Sequence, residues 1–399
     1  MNNPASRAPW LPIWAGLCAS LVGIGLARFA YTPLVPALID AHWFASSAVV
    51  YLGAANLAGY LIGALVGRPL AAYWSSASVL RGMMLLVSLA FLACAWPLSV
   101  SWFFGWRLLS GVAGGVIMVL AASAILPHVA ASRRGLASGA IFLGIGLGIA
   151  GAASLVPWLL GKGVQQTWLG LAVLSLVLTV SSWAGWPAEH AHAQTARPTQ
   201  QAAASPAILV LFGQYALMAT ALVAPMMFLV DYISRGLGAG THAGAMILGL
   251  YGLGAIAGPV VYGLLADHLG ARAGIRLVLL AQLAALAALL GSHDLRLLGV
   301  AALLIGSFPP GIVPLALARV HQLVDGHAGQ TATWSRATVS FASFQAVAGY
   351  AYSALFALSG GHYTVLFAVA AGAVVLALLA DLLLKDRQAM SLMENSSAR

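Results

Sequence analysis

The chain has 399 residues, 61% of them hydrophobic and 7% charged. A soluble domain carries about 25% charged residues because its surface meets water, so most of this surface must meet lipid, and a soluble enzyme is excluded. The formal net charge of +9 comes from basic residues that form no stripe or aromatic-interleaved patch, which excludes nucleic acid as a partner.

Residues 1–9 are polar, and the apolar run that starts at Trp10 continues past the length of a signal-peptide core with no clear cleavage site. It reads as an uncleaved first helix. At about 20 apolar residues per crossing, the first six spans fall at 13–38, 46–67, 79–97, 100–126, 136–157 and 167–184. The next six fall at 208–230, 243–265, 275–291, 297–317, 336–358 and 363–384. The expectation is an all-α membrane protein of twelve transmembrane helices in two six-helix halves.

Between the sixth and seventh spans lies a long polar segment of Ala, Gln, His, Thr and Pro, a composition that makes a flexible linker. The expected domains are a six-helix bundle over 1–185, a linker over 186–206, and a second bundle with a short tail over 207–399. His190 and His192 on the linker read as solvent-facing rather than as metal ligands. Cys18 and Cys94 both sit in apolar runs, so neither a disulfide framework nor a structural zinc site is expected.

Orientation follows from the distribution of positive charge. With both termini cytoplasmic, thirteen of the 18 Lys and Arg fall on inner segments: Arg7, Arg68, Arg81, Arg133, Arg134, Arg197, Arg272, Arg276, Arg319, Arg336, Lys385, Arg387 and Arg399. Lys162, Arg235 and Arg296 fall on outer loops, and Arg28 and Arg107 lie inside spans. This bias is the one that positions a chain with its basic loops inside. A short internal match supports a repeated half: Ala55-Asn56-Leu57-Ala58-Gly59-Tyr60 against Gly254-Ala255-Ile256-Ala257-Gly258-Pro259. Two parallel six-helix repeats are an architecture of transporters.

At these residues the chain resembles the major facilitator superfamily. Gly263-Leu264-Leu265-Ala266-Asp267-His268-Leu269-Gly270-Ala271-Arg272 is similar to that superfamily's loop signature of glycine, acid, glycine and base. Arg107 with Gly111 and Gly114-Gly115 is similar to its arginine-and-glycine helix motif. More narrowly, the run from Gly25 to Pro36, the run from Ala55 to Leu61, and Arg133-Arg134-Gly135-Leu136-Ala137-Ser138-Gly139 resemble the YbfB/YjiJ-like branch. The resemblance covers essentially the whole chain and implies a secondary transporter of the bacterial inner membrane. It also implies a gating latch at Asp267 and Arg272. Two departures stand out. Arg68-Pro69 replaces the acidic residue of the first-half loop, and the fifth span lacks the glycine-proline pair typical of antiporters.

Arg28 is the sharpest candidate for contact with a solute, because a charge on a spanning helix is costly and usually faces a cavity. It lies about 22 Å along the first span. Arg107 lies about 10 Å below the outer edge of the fourth, so in a core of about 30 Å the two share a level. The first and fourth helices line the central cavity in the resembled fold. Two guanidiniums there would take an anion, since an Arg fork binds carboxylate or phosphate bidentately. The alternative is that each arginine is structural, bonding helix carbonyls. Pro33 and Pro36 must disturb the helix after Arg28. Tyr31, Asn56, Tyr60, Gln214, Tyr215 and Gln345 are further candidate substrate contacts, and Tyr251 and Gln282 weaker ones. Each competes with a packing role through interhelical hydrogen bonds.

All nine acidic residues fall in loops, tails or near helix ends, so no deep proton carrier is visible. Asp40, about 18 Å along the helix from Arg28, is too far to pair with it. Asp231 and His128 are the nearest fallbacks. Gly146-Leu147-Gly148-Ile149-Ala150-Gly151 satisfies a dinucleotide-binding pattern, but it lies mid-helix with no strand before it, so it reads as helix packing. No cofactor is expected, and the partners are a small-molecule substrate, a coupling proton or counter-anion, and membrane lipid around a monomer. The leading reading is a carrier of a small organic anion by alternating access. Efflux of hydrophobic or cationic compounds is the alternative and would need an acidic residue in the cavity. A non-transporting receptor or assembly partner is the reading from another class.

Overall fold

The computed structural model describes residues 10–130, 133–187 and 205–397. Within them the chain forms twelve long helices, with no strand among the described residues. Helix α1 spans residues 10–40 in pieces: Trp10–Ser20, a π turn over Leu21–Leu26, then Ala27–Phe29 and Tyr31–Asp40. The first half continues with α2 (Ser46–Tyr73), α3 (Ser76–Ala93), α4 (Val100–Ile125), α5 (Arg134–Leu160) and α6 (Val164–Ser182). The second half holds α7 (Pro206–Asp231), α8 (Gly240–Leu269), α9 (Ala271–Gly291), α10 (Leu295–Leu323), α11 (His327–Leu358) and α12 (Tyr363–Ser397). Most of the expected linker lies outside the described residues, as do Glu189, His190, His192, Arg197, Arg7 and Arg399.

Ten of the spans are long and apolar enough to cross a membrane on their own, and α2 and α11, with 28 and 32 residues, complete the twelve. The outside of the bundle is apolar, with Leu65, Val173, Val177, Val180, Val300 and Val347 all exposed. Trp10, Trp74 and Trp183 are exposed at one end, and Trp96, Trp102 and Trp158 at the other. Indole rings prefer the two membrane interfaces, so they bracket the lipid-facing band. The end with Trp74 and Trp183 also holds Arg68, Arg81, Arg134, Arg272 and Arg276, and is called the basic face below. There Arg81 donates to the Trp183 carbonyl at 2.7 and 3.0 Å.

Glycine decides how the halves are built. A Cβ on Gly59 or Gly63 of α2 would collide with the carbonyl oxygens of Leu108 and Val112 on α4, and one on Gly111 would collide with that of Asn56. In the second half, Gly254 and Gly258 of α8 meet Leu303 and Ser307 of α10 in the same way, and Gly306 meets Tyr251. The two sets share a constant offset of 195 residues (254 against 59, 303 against 108). The sequence match of Ala55 with Gly254 implied an offset of 199, so the register of the repeat is corrected by four residues, about one turn. Glycines four apart on both helices make the two alignments look alike in sequence. Contact of backbone with backbone separates them.

The most extensive seam between the halves runs along α5 and α8. Gly139 and Gly146 of α5 lie against Pro259 and Ala255 of α8, and Gly252 lies against Ala150. At the basic face Gly135 lies against Gly263 and Asp267. Toward the opposite face, Gly249 is exposed, and a Cβ there would meet nothing within 4 Å. The same stretch of α5 presses Gly144 and Gly148 on Leu17 and Gly25 of α1. The apparent dinucleotide motif at 146–151 is therefore a surface for close helix approach on two sides.

Candidate functional site

Arg28 stands where α1 is least regular. The π turn over Leu21–Leu26 ends two residues before it, and the helix breaks at Ala30, two residues after it. Pro33 has no N–H to bond the Phe29 carbonyl, and its ring crowds that turn. Gly23 and Gly25 lie in the π turn, with Gly25 against Gly148 of α5 and the Gly23 carbonyl against Gly114 of α4. Irregular backbone is tolerated at membrane depth where protein covers it or a cavity borders it. Here both hold.

The cavity beside Arg28 is small, about 20 Å³, about the room one water needs. Ile24, Arg28 and Phe29 of α1, Tyr60 of α2, Met118 of α4 and Ile145 of α5 line it from the first half. Met226 of α7, Pro309 and Val313 of α10, and Phe341 and Gln345 of α11 line it from the second. The Arg28 guanidinium sits over the Tyr60 ring, 4.7 Å from its centroid. Its Nη2 is buried with no hydrogen-bond partner, and so is Gln345 Oε1. Three ion pairs occur among the described residues, and none involves Arg28. A buried cation without a counter-charge is costly, and here its free donor shares a cavity with an unpartnered amide.

Of the candidates read from the sequence, the structure brings Arg28, Tyr60 and Gln345 together and takes the others elsewhere. Arg107 is 2% exposed and donates from Nη1 to the Ala27 carbonyl at 2.7 Å, with its guanidinium 4.3 Å from the Tyr31 ring centroid. It thus tethers α4 to α1 beside Arg28, at the same level but not on the cavity wall. The Tyr31 hydroxyl donates to the Val49 carbonyl at 2.7 Å. Asn56 Nδ2 donates to Ser110 Oγ at 3.0 Å, and Ser110 in turn to the Arg107 carbonyl at 2.8 Å. Gln214 Nε2 donates to the Ala377 carbonyl at 3.0 Å. Tyr215 stacks with Phe341 and Trp334, at 4.5 and 6.0 Å between centroids. Gln282 bonds the Leu304 carbonyl at 2.8 Å, and the buried Tyr251 hydroxyl has no partner. Asp231 pairs with Arg235 and accepts from Tyr363 at 2.7 Å, and is not on the cavity wall.

Asp267 and Arg272 part company. The Asp267 carboxylate accepts from the Leu136 N–H of α5 at 3.1 Å, across the seam between halves. The first turn of α5 has no side-chain cap of its own, so the carboxylate satisfies free donors at the positive end of that helix. Arg272 turns instead to Asp381 of α12, at 2.9 Å, where Arg276 also pairs. Asp381 is 4% exposed and lies mid-way along α12, which corrects the expectation that every acidic residue falls in a loop, a tail or near a helix end. The helix runs on past the apolar span, and the two arginines compensate the carboxylate. Replacing Asp267 with Asn is expected to weaken the seam by about 0.3–1 kcal/mol. Hydrogen exchange over residues 134–142 should quicken in D267N, and unchanged protection there would refute the cap.

Sequence reading missed Met118, Met226, Trp334 and Phe341, which are apolar and unremarkable one at a time. The Pro309-Pro310-Gly311 run was the available signal for α10, of the same kind as Pro33 and Pro36 in α1. Trp334 is 1% exposed and donates from Nε1 to the Met118 carbonyl at 3.3 Å. That bond ties α11 to α4 across the two halves, beside Met118 of the cavity wall.

Residues 20–382 match the family described as "Uncharacterised MFS-type transporter YbfB". The comparison with curated proteins gave no match. Among solved structures, the chain is similar to the major facilitator proton:xylose symporter XylE bound to 6-bromo-6-deoxy-D-glucose. The TM-score is 0.73 at 13% identity, covering 94% of this chain and 95% of that one. It is also similar to a bacterial homologue of the iron transporter ferroportin in its outward-facing state, with a TM-score of 0.67 at 17% identity, covering 93% and 98%. At these identities the likeness is one of fold.

Proposed function

The chain belongs to the YbfB-type family of major facilitator transporters, and from that premise we propose that it moves a small organic anion across the membrane by alternating access. It is a multi-pass membrane transporter and not an enzyme. The observation that carries the anion reading is the buried, unpartnered Nη2 of Arg28 in a cavity walled by both halves. A carboxylate would accept from that nitrogen, and Gln345 would complete its second oxygen with its amide turned. The remaining lining (Ile24, Phe29, Met118, Ile145, Met226, Phe341) is apolar and offers no carboxylate for a cation, and at about 20 Å³ the cavity must widen as the halves part before it admits an organic solute. A sugar, such as the ligand of the XylE structure, needs more hydrogen-bonding groups than Arg28, Tyr60 and Gln345 supply.

In this reading the basic face is cytoplasmic, as the distribution of Lys and Arg requires in a bacterial inner membrane. Both termini then lie inside. The halves over 1–185 and 207–399 rock about the cavity, joined by the linker at 186–206. The seam from Gly135 and Asp267 to Ala150 and Gly252 closes the cytoplasmic side, and opening that side means parting it. With no carboxylate in the cavity, coupling falls to a counter-anion or to a proton held elsewhere.

Thermal unfolding of the purified, detergent-solubilised protein tests the reading against organic anions, cations and neutral solutes at millimolar concentration. A ligand at 100 times its dissociation constant stabilises the native state by about 2.7 kcal/mol. Stabilisation by carboxylates alone is the expected result. Stabilisation by lipophilic cations alone would overturn it in favour of efflux.

A further inference from the structure

A second, larger cavity of about 270 Å³ lies on the cytoplasmic side of Trp334. It opens between the end of α4, the start of α5, the end of α10 and the start of α11. These elements correspond in pairs across the two halves, so the cavity sits on the axis that relates them. Its polar lining includes Arg134, His321, His327, Gln330 and Thr331, and no Asp or Glu is among its lining residues. Trp334 lines it too and is bonded to the Met118 carbonyl, while Met118 lines the Arg28 cavity on the other side. Trp334 also packs on Tyr215, which packs on Phe341 of the Arg28 cavity, so the two cavities are neighbours with a layer of side chains, and not the indole alone, between them.

The charges facing this cavity all have one sign. Arg134 of α5 faces His321 of α10 and His327 of α11, and His128, on the turn after α4, adds to the field at His327. Asp325, on the turn before α11, is exposed and does not line the cavity. Partial burial, then Arg134 and His128, hold the His327 imidazole below its ordinary value, so it is neutral when the cavity is empty at neutral pH. An entering anion reverses that field, since a nearby negative charge favours the protonated ring.

We propose that this cavity is a cytoplasmic subsite for the transported anion, in which a carboxylate binds Arg134 and is accompanied by protons taken up on His321 and His327. The identity of its ligand rests on the anion reading of Arg28. The subsite provides what the central cavity lacks: groups that bind a proton together with the solute. The carboxylate moves on to Arg28 as the anion, and the two imidazoles return their protons to the cytoplasmic water.

Calorimetric titration of the full-length solubilised protein with malonate, at pH 7 in two buffers of different ionisation enthalpy, counts the protons bound per anion. The wild type is expected to take up about one proton per malonate, because two neutral imidazoles facing the bound anion share the linkage. H327Q, at the exposed rim, should lose a measurable part of that uptake, and H321Q/H327Q all of it. R134Q should weaken malonate at least about tenfold. R28Q should leave the uptake in place. Uptake unchanged in H327Q and in the double variant, uptake abolished by R28Q, or no malonate binding would each overturn the subsite. Failure of the central reading looks different: R28Q would leave carboxylate stabilisation in the thermal screen untouched while the malonate titration stands.

Discussion

R28Q is expected to abolish anion binding in the central cavity and to leave the protein at least as stable as the wild type. The two effects come from one cause. Arg28 Nη2 is buried without a partner, so the empty protein carries the cost of an uncompensated charge, and a neutral side chain relieves it. In the loaded state the same guanidinium forms charge-assisted bonds to the solute. Their loss is expected to weaken binding about 100-fold or more, equivalent to roughly 2.7 kcal/mol. R28K should recover part of the affinity, because an ammonium supplies charge without the planar fork. Arg107 differs in that its Nη1 bonds the Ala27 carbonyl at 2.7 Å, although its Nε is likewise buried without a partner. R107M is expected to lower stability by about 1.5–3 kcal/mol, the range for a hydrogen bond to a charged group. Melting curves of both variants with and without the stabilising anion decide the matter. If R28Q melts as low as R107M and responds to the anion as fully as the wild type does, Arg28 is structural and the site lies elsewhere.

G111A and G306A are expected to be among the most damaging single-carbon changes at the described glycines. Each new methyl would run into a carbonyl oxygen of the neighbouring helix, that of Asn56 or of Tyr251. A side chain could turn aside, but a helix backbone held along its whole length cannot. Overpacking costs typically 1–3 kcal/mol, and the backbone obstacle puts these two at the upper end, about 3 kcal/mol. Because the positions correspond across the repeat, both halves should respond alike, which a chance contact would not do. Gly82 and Gly372, where a Cβ meets nothing within 4 Å, are the controls. Melting temperature and monodisperse yield measure the result, and a G111A protein as stable as G82A would show that α2 and α4 are not in the contact described.

Much of the fold was legible because lipid imposes a simple rule on sequence: about 20 apolar residues for each crossing. The positive charges supply an expectation of orientation by a rule of the same kind. Arg28 was legible for the opposite reason, as a residue that breaks the rule. What composition could not supply was direction around each helix. Arg28 and Arg107 were correctly expected at one level, yet one faces a cavity and the other is bonded to the Ala27 carbonyl, a difference of helix rotation and not of depth. Arg272 looked like part of a latch with Asp267 because the two are near in sequence, but its carboxylate is Asp381, more than a hundred residues away. Trp334, Met118 and Phe341 matter through what they separate, and no single-residue signal marks an apolar side chain for that. His321 and His327 come from two elements that converge with Arg134 only in the folded chain.

The π turn in α1 has a consequence for how such a site comes and goes. A turn of this kind holds one residue more than the α-helix around it, so it acts as an insertion that the fold has absorbed without losing its ladder. Every side chain beyond it is rotated by about 100° from where an uninterrupted helix would place it. Arg28 comes two residues after Leu26, the last residue of that turn. A shortened relative could keep the arginine, the two prolines and the glycines of its neighbours and still aim the guanidinium into packed protein. Length, counted to the single residue, is therefore as much a part of this cavity's chemistry as the charge within it.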